Sequence, residues 1–106
     1  MHTMKNFLPS LLTAVLILSS AYLVTGCSNY DGKKLFFTVG CSQCHSFEGK
    51  GGSLAPDLSA VTNIRSDEWI RNYIHNPLKM NPQARMPAFK NLSRAKREAI
   101  ITYLKQ

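Results

Sequence analysis

Cys41-Ser42-Gln43-Cys44-His45 is the stretch of this 106-residue sequence that decides its fold. Two thiols three positions apart lie on one side of a helical turn, and an imidazole follows them directly. Cys27 is the third cysteine, so disulfide pairing would leave one thiol over. A chain this short struggles to fold on apolar burial alone. The motif is therefore expected to stabilise the fold through a covalent bond or a bound metal.

The C-x-x-C-H spacing is typical of covalent haem attachment. The thiols of Cys41 and Cys44 can form thioethers with two vinyl groups on one edge of a porphyrin, and His45 is then placed as the proximal iron ligand. The sequence therefore predicts one haem c. A thioredoxin-like redox pair would need a βαβ pattern, and a zinc site would need further ligands. The sequence provides neither the βαβ pattern nor the further ligands. The redox pair and the zinc site are therefore much weaker interpretations than haem attachment.

The first 26 residues are typical of an export signal. Lys5 lies in a weakly basic start, and residues 7–24 form an uncharged, mostly apolar run. Val24-Thr25-Gly26-Cys27 then resembles a bacterial lipobox, in which the cysteine is lipidated and becomes the new N-terminus. We predict a signal peptide over residues 1–26, a lipidated Cys27 in a short spacer over 27–30, and a haem domain over 31–106.

Two alternatives to lipidation remain open, an uncleaved membrane anchor and plain secretion. All three place the domain outside the cytoplasm. The expected location is that of a cell-membrane or outer-membrane lipoprotein, facing the periplasm or the extracellular side.

The rest of the sequence indicates short helices and loops without a convincing strand. We expect helices capped by Asp31, Ser66 and Ser93, the first ending near Gly40 and the second at Asn76-Pro77. Residues 77–91 contain three prolines and predict a constrained loop. The positions expected to be buried are Leu35, Phe36 and Val39, then Trp69, Ile70, Tyr73 and Ile74, and finally Ala95, Ala99, Ile100, Tyr103 and Leu104. His75 is expected on the surface.

From about Asp31 to its end, the sequence resembles a class I c-type cytochrome. Four segments carry the resemblance in order: Gly32 with Phe36, the motif over 41–45, Ala55-Pro56-Asp57-Leu58, and Arg85-Met86-Pro87-Ala88-Phe89. The resemblance implies an all-α fold, with short helices and loops wrapped round one covalent haem. It also implies that Gly32 lets the last helix approach, that Phe36 packs against that helix, and that the Pro56 carbonyl accepts a hydrogen bond from His45.

The sixth iron ligand decides between electron transfer and ligand binding. Met1 and Met4 belong to the export signal, which leaves Met80 and Met86. Met86 precedes a proline and lies a short loop before the last helix, so we predict it as the distal ligand. Met80 and an open site are the alternatives. A methionine thioether raises the reduction potential and suits one-electron transfer.

The formal net charge is +7, and the part after residue 26 keeps +6 because only Lys5 is lost. Positive charge suits anionic membranes and acidic protein faces, and export makes nucleic acid an unexpected partner. We predict a membrane-tethered electron carrier rather than an enzyme, with acidic redox partners docking on Lys33, Lys34, Lys79, Arg85 and Lys90. The alternatives are a haem enzyme or gas- or peroxide-binding protein with open iron, and a fixed haem subunit of an oxidase or reductase complex.

Overall fold

The computed structural model describes residues 29–106, which form short helices around two hydrophobic clusters. The elements are α1 (Gly32–Thr38), a 3-10 turn (Cys41–Gln43), β1 (Ser46–Phe47), β2 (Lys50–Gly51), α2 (Val61–Ile64), α3 (Asp67–His75), α4 (Pro77–Met80) and α5 (Arg94–Leu104). Among these residues, no helix has the length and apolarity needed to cross a membrane. The predicted signal peptide and Cys27 lie outside the described residues.

Side-chain caps start the three principal helices, as predicted. Asp31 Oδ1 accepts from the amide of Lys34 at 3.0 Å, and Ser66 Oγ accepts from the amide of Trp69 at 3.1 Å. Ser93 Oγ accepts in the same way from Lys96 at 3.3 Å. Each cap satisfies an amide that has no partner within its own helix.

Two boundaries differ from the prediction, and two small features were not predicted. The first helix ends at Thr38 rather than near Gly40, since Gly40 takes a left-handed φ of 104°. The expected loop over 77–91 begins with α4, because Pro77 has a φ suited to the first helical turn and the amide of Asn81 bonds to its carbonyl. α2 and the small antiparallel pair β1–β2 were not expected, since elements of four and two residues carry no readable periodicity.

α1 and α5 cross in close contact, and one core cluster forms beneath the crossing. A Cβ atom on Gly32 would lie 1.9 Å from the carbonyl oxygen of Ala99, so only glycine allows this approach. Phe36 is fully buried under the crossing, with its ring centroid 5.6 Å from that of Tyr103. The cluster's buried members are Phe36, Phe47, Ile100, Tyr103 and Leu104. Both contacts implied by the resemblance are therefore present.

The second cluster joins α3 to α5 through Ile70, Ile74 and Ile101. Trp69 and Tyr73 were expected in the buried stripe, but they are half-buried and stack on each other with centroids 4.7 Å apart. On α5, Ala95 is exposed and Ile101 is buried, contrary to the predicted face. α5 packs against α1 on one side and α3 on the other, so its buried face is wider than one stripe.

Candidate haem-attachment site

The motif begins in the 3-10 turn and ends at His45, directly before β1. The amide of His45 donates to the carbonyl of Cys41 at 2.9 Å, which closes one helical turn around the two cysteines. Cys41 and Cys44 carry free thiols and are half-buried. Cys41 packs against the cluster that contains Phe36. A group bound to these thiols would therefore be joined directly to the core.

The electrostatics of Cys41 do not match a redox-active pair. Burial raises the pKa of its thiol, and a backbone hydrogen bond only partly offsets that effect. Cysteines that exchange disulfides have lowered pKa values and a large thiolate fraction near neutral pH. This observation weighs against the thioredoxin-like alternative.

The ring of His45 is oriented by a single hydrogen bond. Its Nδ1 lies 2.7 Å from the carbonyl oxygen of Pro56. A carbonyl oxygen can only accept, so Nδ1 must carry a proton, and in the neutral imidazole Nε2 then holds the lone pair. That tautomer and orientation are what an axial imidazole ligand requires. The contact is the one that the resemblance implies.

The segment that carries Pro56 is fastened along the motif by backbone hydrogen bonds. The amides of Gly52, Ala55 and Leu58 donate to the carbonyls of Ser42, Cys44 and Ser46, at 2.8, 2.9 and 2.8 Å. Gly51 permits the close passage, since it has a φ of 120° and its Cβ would lie 2.2 Å from the carbonyl oxygen of His45. The hairpin and this segment thus form one frame behind the imidazole.

Asp57 strengthens that frame, a role that was not predicted from the sequence. One carboxylate oxygen accepts from the hydroxyl of Ser46 at 2.6 Å, and the other accepts from the amide of Ser59 at 2.8 Å. These hydrogen bonds lower the pKa of Asp57, and the bond from Ser46 has the largest effect. The sequence signal for these hydrogen bonds was an aspartate directly after Pro56, with serines at positions 46 and 59. It was not specific, because serine and aspartate in a loop usually make only local turns.

The loop with the predicted distal ligand is fixed on its C-terminal side, after Met86. The amide of Phe89 donates to the carbonyl of Ile74 at 3.1 Å, and Arg97 Nη1 donates to the carbonyl of Leu92. Met86 is half-buried against the cluster that contains Ile74. His75 is exposed, as predicted, with its Nδ1 3.2 Å from Arg97.

The motif and the Met86 loop lie on connected parts of the core. Val61 and Leu92 pack against both clusters, so they link the cluster that touches Cys41 with the one that touches Met86. Met80 is instead an exposed side chain at the end of α4. Within residues 29–106, no group of three or more His, Cys, Asp or Glu side chains forms a metal cluster.

The donor set fits a covalently held haem. Cys41 and Cys44 offer two thiols on one turn, and His45 offers a free Nε2. Several large apolar side chains beyond α1 are exposed, as expected around a bulky apolar group in so small a domain. They are Leu54 (86%), Ile64 (72%), Leu78 (57%) and Met80 (36%).

Comparison with protein families agrees with this geometry. The family model described as Cytochrome c matches residues 30–106, which include the whole of the predicted haem domain over 31–106. Comparison with curated proteins gives no significant match. The family match, the helical fold and the C-x-x-C-H turn together show that this chain belongs to the cytochrome c family, as a class I c-type cytochrome with covalently bound haem c.

Proposed function

We propose that this haem-binding electron carrier holds one haem, uses His45 and Met86 as axial ligands and is tethered to a membrane by a lipid on Cys27. The observation that carries the proposal is the hydrogen bond between His45 Nδ1 and Pro56, which leaves Nε2 free to bind iron. The haem supplies a one-electron couple between ferrous and ferric iron. The protein's part is to hold and orient it.

The residues of the site supply rigidity for that role. The Asp57 network and three backbone hydrogen bonds hold Pro56, and Pro56 holds the His45 ring. A fixed axial ligand limits the structural rearrangement around the iron when an electron is gained or lost. Met86 packs against the cluster that contains Ile74, in the loop whose Phe89 amide bonds to the Ile74 carbonyl, and this packing supports it over Met80.

The optical spectrum of the purified haem-loaded protein tests the ligation. Low-spin haem with the weak far-red band of iron–methionine coordination is expected. High-spin haem that binds carbon monoxide or peroxide in the resting protein would instead favour an enzyme or a gas-binding protein. Haem stain that persists on a denaturing gel, and is lost in a Cys41→Ala/Cys44→Ala variant, tests the covalent linkage.

The tether restricts which partners can be reached. Only Ser28, Asn29 and Tyr30 separate Cys27 from the cap of α1, and three extended residues span about 10–15 Å. The haem domain therefore stays near the membrane surface. A redox partner that is itself bound to that membrane, with an acidic docking face, fits both this reach and the charge of +6.

Three of the basic residues predicted for docking flank the segments nearest Met86. Lys79, Arg85 and Lys90 are all exposed. Exposed charges act mainly on the association rate and are screened by salt. Electron transfer to the natural partner should therefore slow as ionic strength rises. A salt-independent rate would contradict the acidic-partner part of the proposal.

A further inference from the structure

We propose that the outer side of α1 is a docking surface for anionic phospholipid, which fixes how the haem domain sits on the membrane. The surface, here named the α1 face, comprises Tyr30, Lys33, Lys34 and Phe37. The inference rests on the proposed function, because the lipid on Cys27 supplies the nearby bilayer. Beyond the proposed function, it specifies how the domain is oriented on the membrane. It also assigns some of the basic residues to the membrane and the others to the redox partner.

The α1 face combines aromatic and basic side chains on one side of a helix. Lys33 and Lys34 lie four and three positions before Phe37 on the helix, so the three share a side. Tyr30 precedes the cap. Both lysines are exposed, and Phe37 and Tyr30 are 40% and 38% exposed. Aromatic rings next to lysines are typical of segments that lie in the membrane interface.

The opposite side of α1 is already occupied, so this face remains free within the domain. Gly32 lies against Ala99 of α5, and Phe36 is fully buried. The ring of Phe37 meets that of Phe36 edge to face, at 5.5 Å between centroids. Phe37 therefore contacts the buried Phe36 ring and still keeps 40% of its surface exposed.

Charge near the α1 face is net positive. Lys96 Nζ lies 5.4 Å from the centre of the Tyr30 ring, which adds a third ammonium group to those of Lys33 and Lys34. Asp31 offsets one of them, and its carboxylate already caps the helix. An anionic bilayer attracts each lysine close to its surface.

The tether selects a membrane as the occupant. Cys27 lies three residues before Tyr30, so lipid chains on Cys27 enter the bilayer within about 10–15 Å of the α1 face. Within the described residues, α1 packs on α5 and the 3-10 turn. Lys79 and Lys90 belong to α4 and the loop before α5, outside the α1 face, and both are exposed, so we assign them to the protein partner.

Amine footprinting of the lipidated, haem-loaded protein tests the inference. The protein is reconstituted in phosphatidylcholine vesicles with or without about 30% phosphatidylglycerol. With phosphatidylglycerol at low salt, Lys33 and Lys34 should react at least about fivefold more slowly than Lys79 and Lys90, since one lysine contact is worth about that factor. At about 0.5 M salt the protection should disappear while the protein still sediments with the vesicles.

Charge reversal gives an independent readout with a matched control. A Lys33→Glu/Lys34→Glu protein should lose the fixed haem orientation seen by linear dichroism on oriented anionic bilayers. A Lys79→Glu/Lys90→Glu protein carries the same change in net charge and should keep it. Phe37→Ser should weaken the orientation without altering the optical spectrum.

The outcomes separate this inference from the proposed function. If Cys27 carries no lipid by mass spectrometry, the tether fails, whereas low-salt protection of Lys33 and Lys34 would still support the α1 face. If Cys27 is lipidated but all four lysines react at the same rate, the α1 face is refuted and the carrier function stands. Equal protection on phosphatidylcholine alone also refutes it, because charge would then play no part.

Discussion

Replacing Gly32 by alanine should separate α1 from α5. The added Cβ would lie 1.9 Å from the carbonyl oxygen of Ala99 and 2.6 Å from its carbon, whereas real Cβ contacts stay above 3.0 Å. The helices must therefore move apart by about 1 Å. A gap of that size forfeits about a quarter to a half of the dispersion energy of the atoms facing it.

The free-energy cost follows from what the crossing buries. Phe36 is fully buried there and Tyr103 nearly so, and overpacking of such a core costs about 1–3 kcal/mol. Alanine's better helix propensity returns at most about 1 kcal/mol. We expect a net loss of about 1–2 kcal/mol in the free energy of unfolding, which lowers the guanidinium midpoint by about 0.5–1 M.

Guanidinium unfolding of the haem-loaded protein, followed by far-ultraviolet circular dichroism, measures this loss. An Ala99→Gly change added to Gly32→Ala should not restore stability, because the obstacle is the backbone of Ala99 and not its side chain. Lys33→Ala is the neighbouring control and should shift the midpoint little. A Gly32→Ala protein as stable as the wild type would refute the close crossing of the two helices.

Three further predictions concern the haem site and its anchor. Met86→Ala should lower the reduction potential and admit exogenous ligands such as imidazole, while Met80→Ala should change neither in a redox titration; the reverse result would reassign the ligand. The lowered pKa of Asp57 means that its contribution to stability is complete above its ordinary pKa and is lost as pH falls through the lowered value. Asp57→Asn should therefore be less stable than the wild type at neutral pH, and its unfolding midpoint should change less with pH between about pH 5 and 2. The same pH dependence of the midpoint in both proteins would contradict this. Cys27→Ser should release the protein from membranes, and mass spectrometry that finds an unmodified Cys27 in the wild type would exclude the lipid anchor.

The sequence by itself determined the features that depend on a few neighbouring residues. The C-x-x-C-H turn and the caps at Asp31, Ser66 and Ser93 are interactions within five positions, so the residue types and their spacing were enough to predict them. The resemblance extended this to the crossing at Gly32 and to the bond between His45 and Pro56.

Tertiary packing decided which side chains are covered and which long-range partners meet. Phe36 and Phe37 are adjacent and chemically identical, yet one is fully buried and the other is 40% exposed, because α5 lies on only one side of α1. Arg71 of α3 donates to Glu98 of α5 across 27 positions, and this bond raises the pKa of Arg71. The hydrogen bond from Ser46 to Asp57, next to His45 and Pro56, likewise joins residues 11 positions apart. Local propensity carries no information about such pairs, because they meet only after the loops between them have folded.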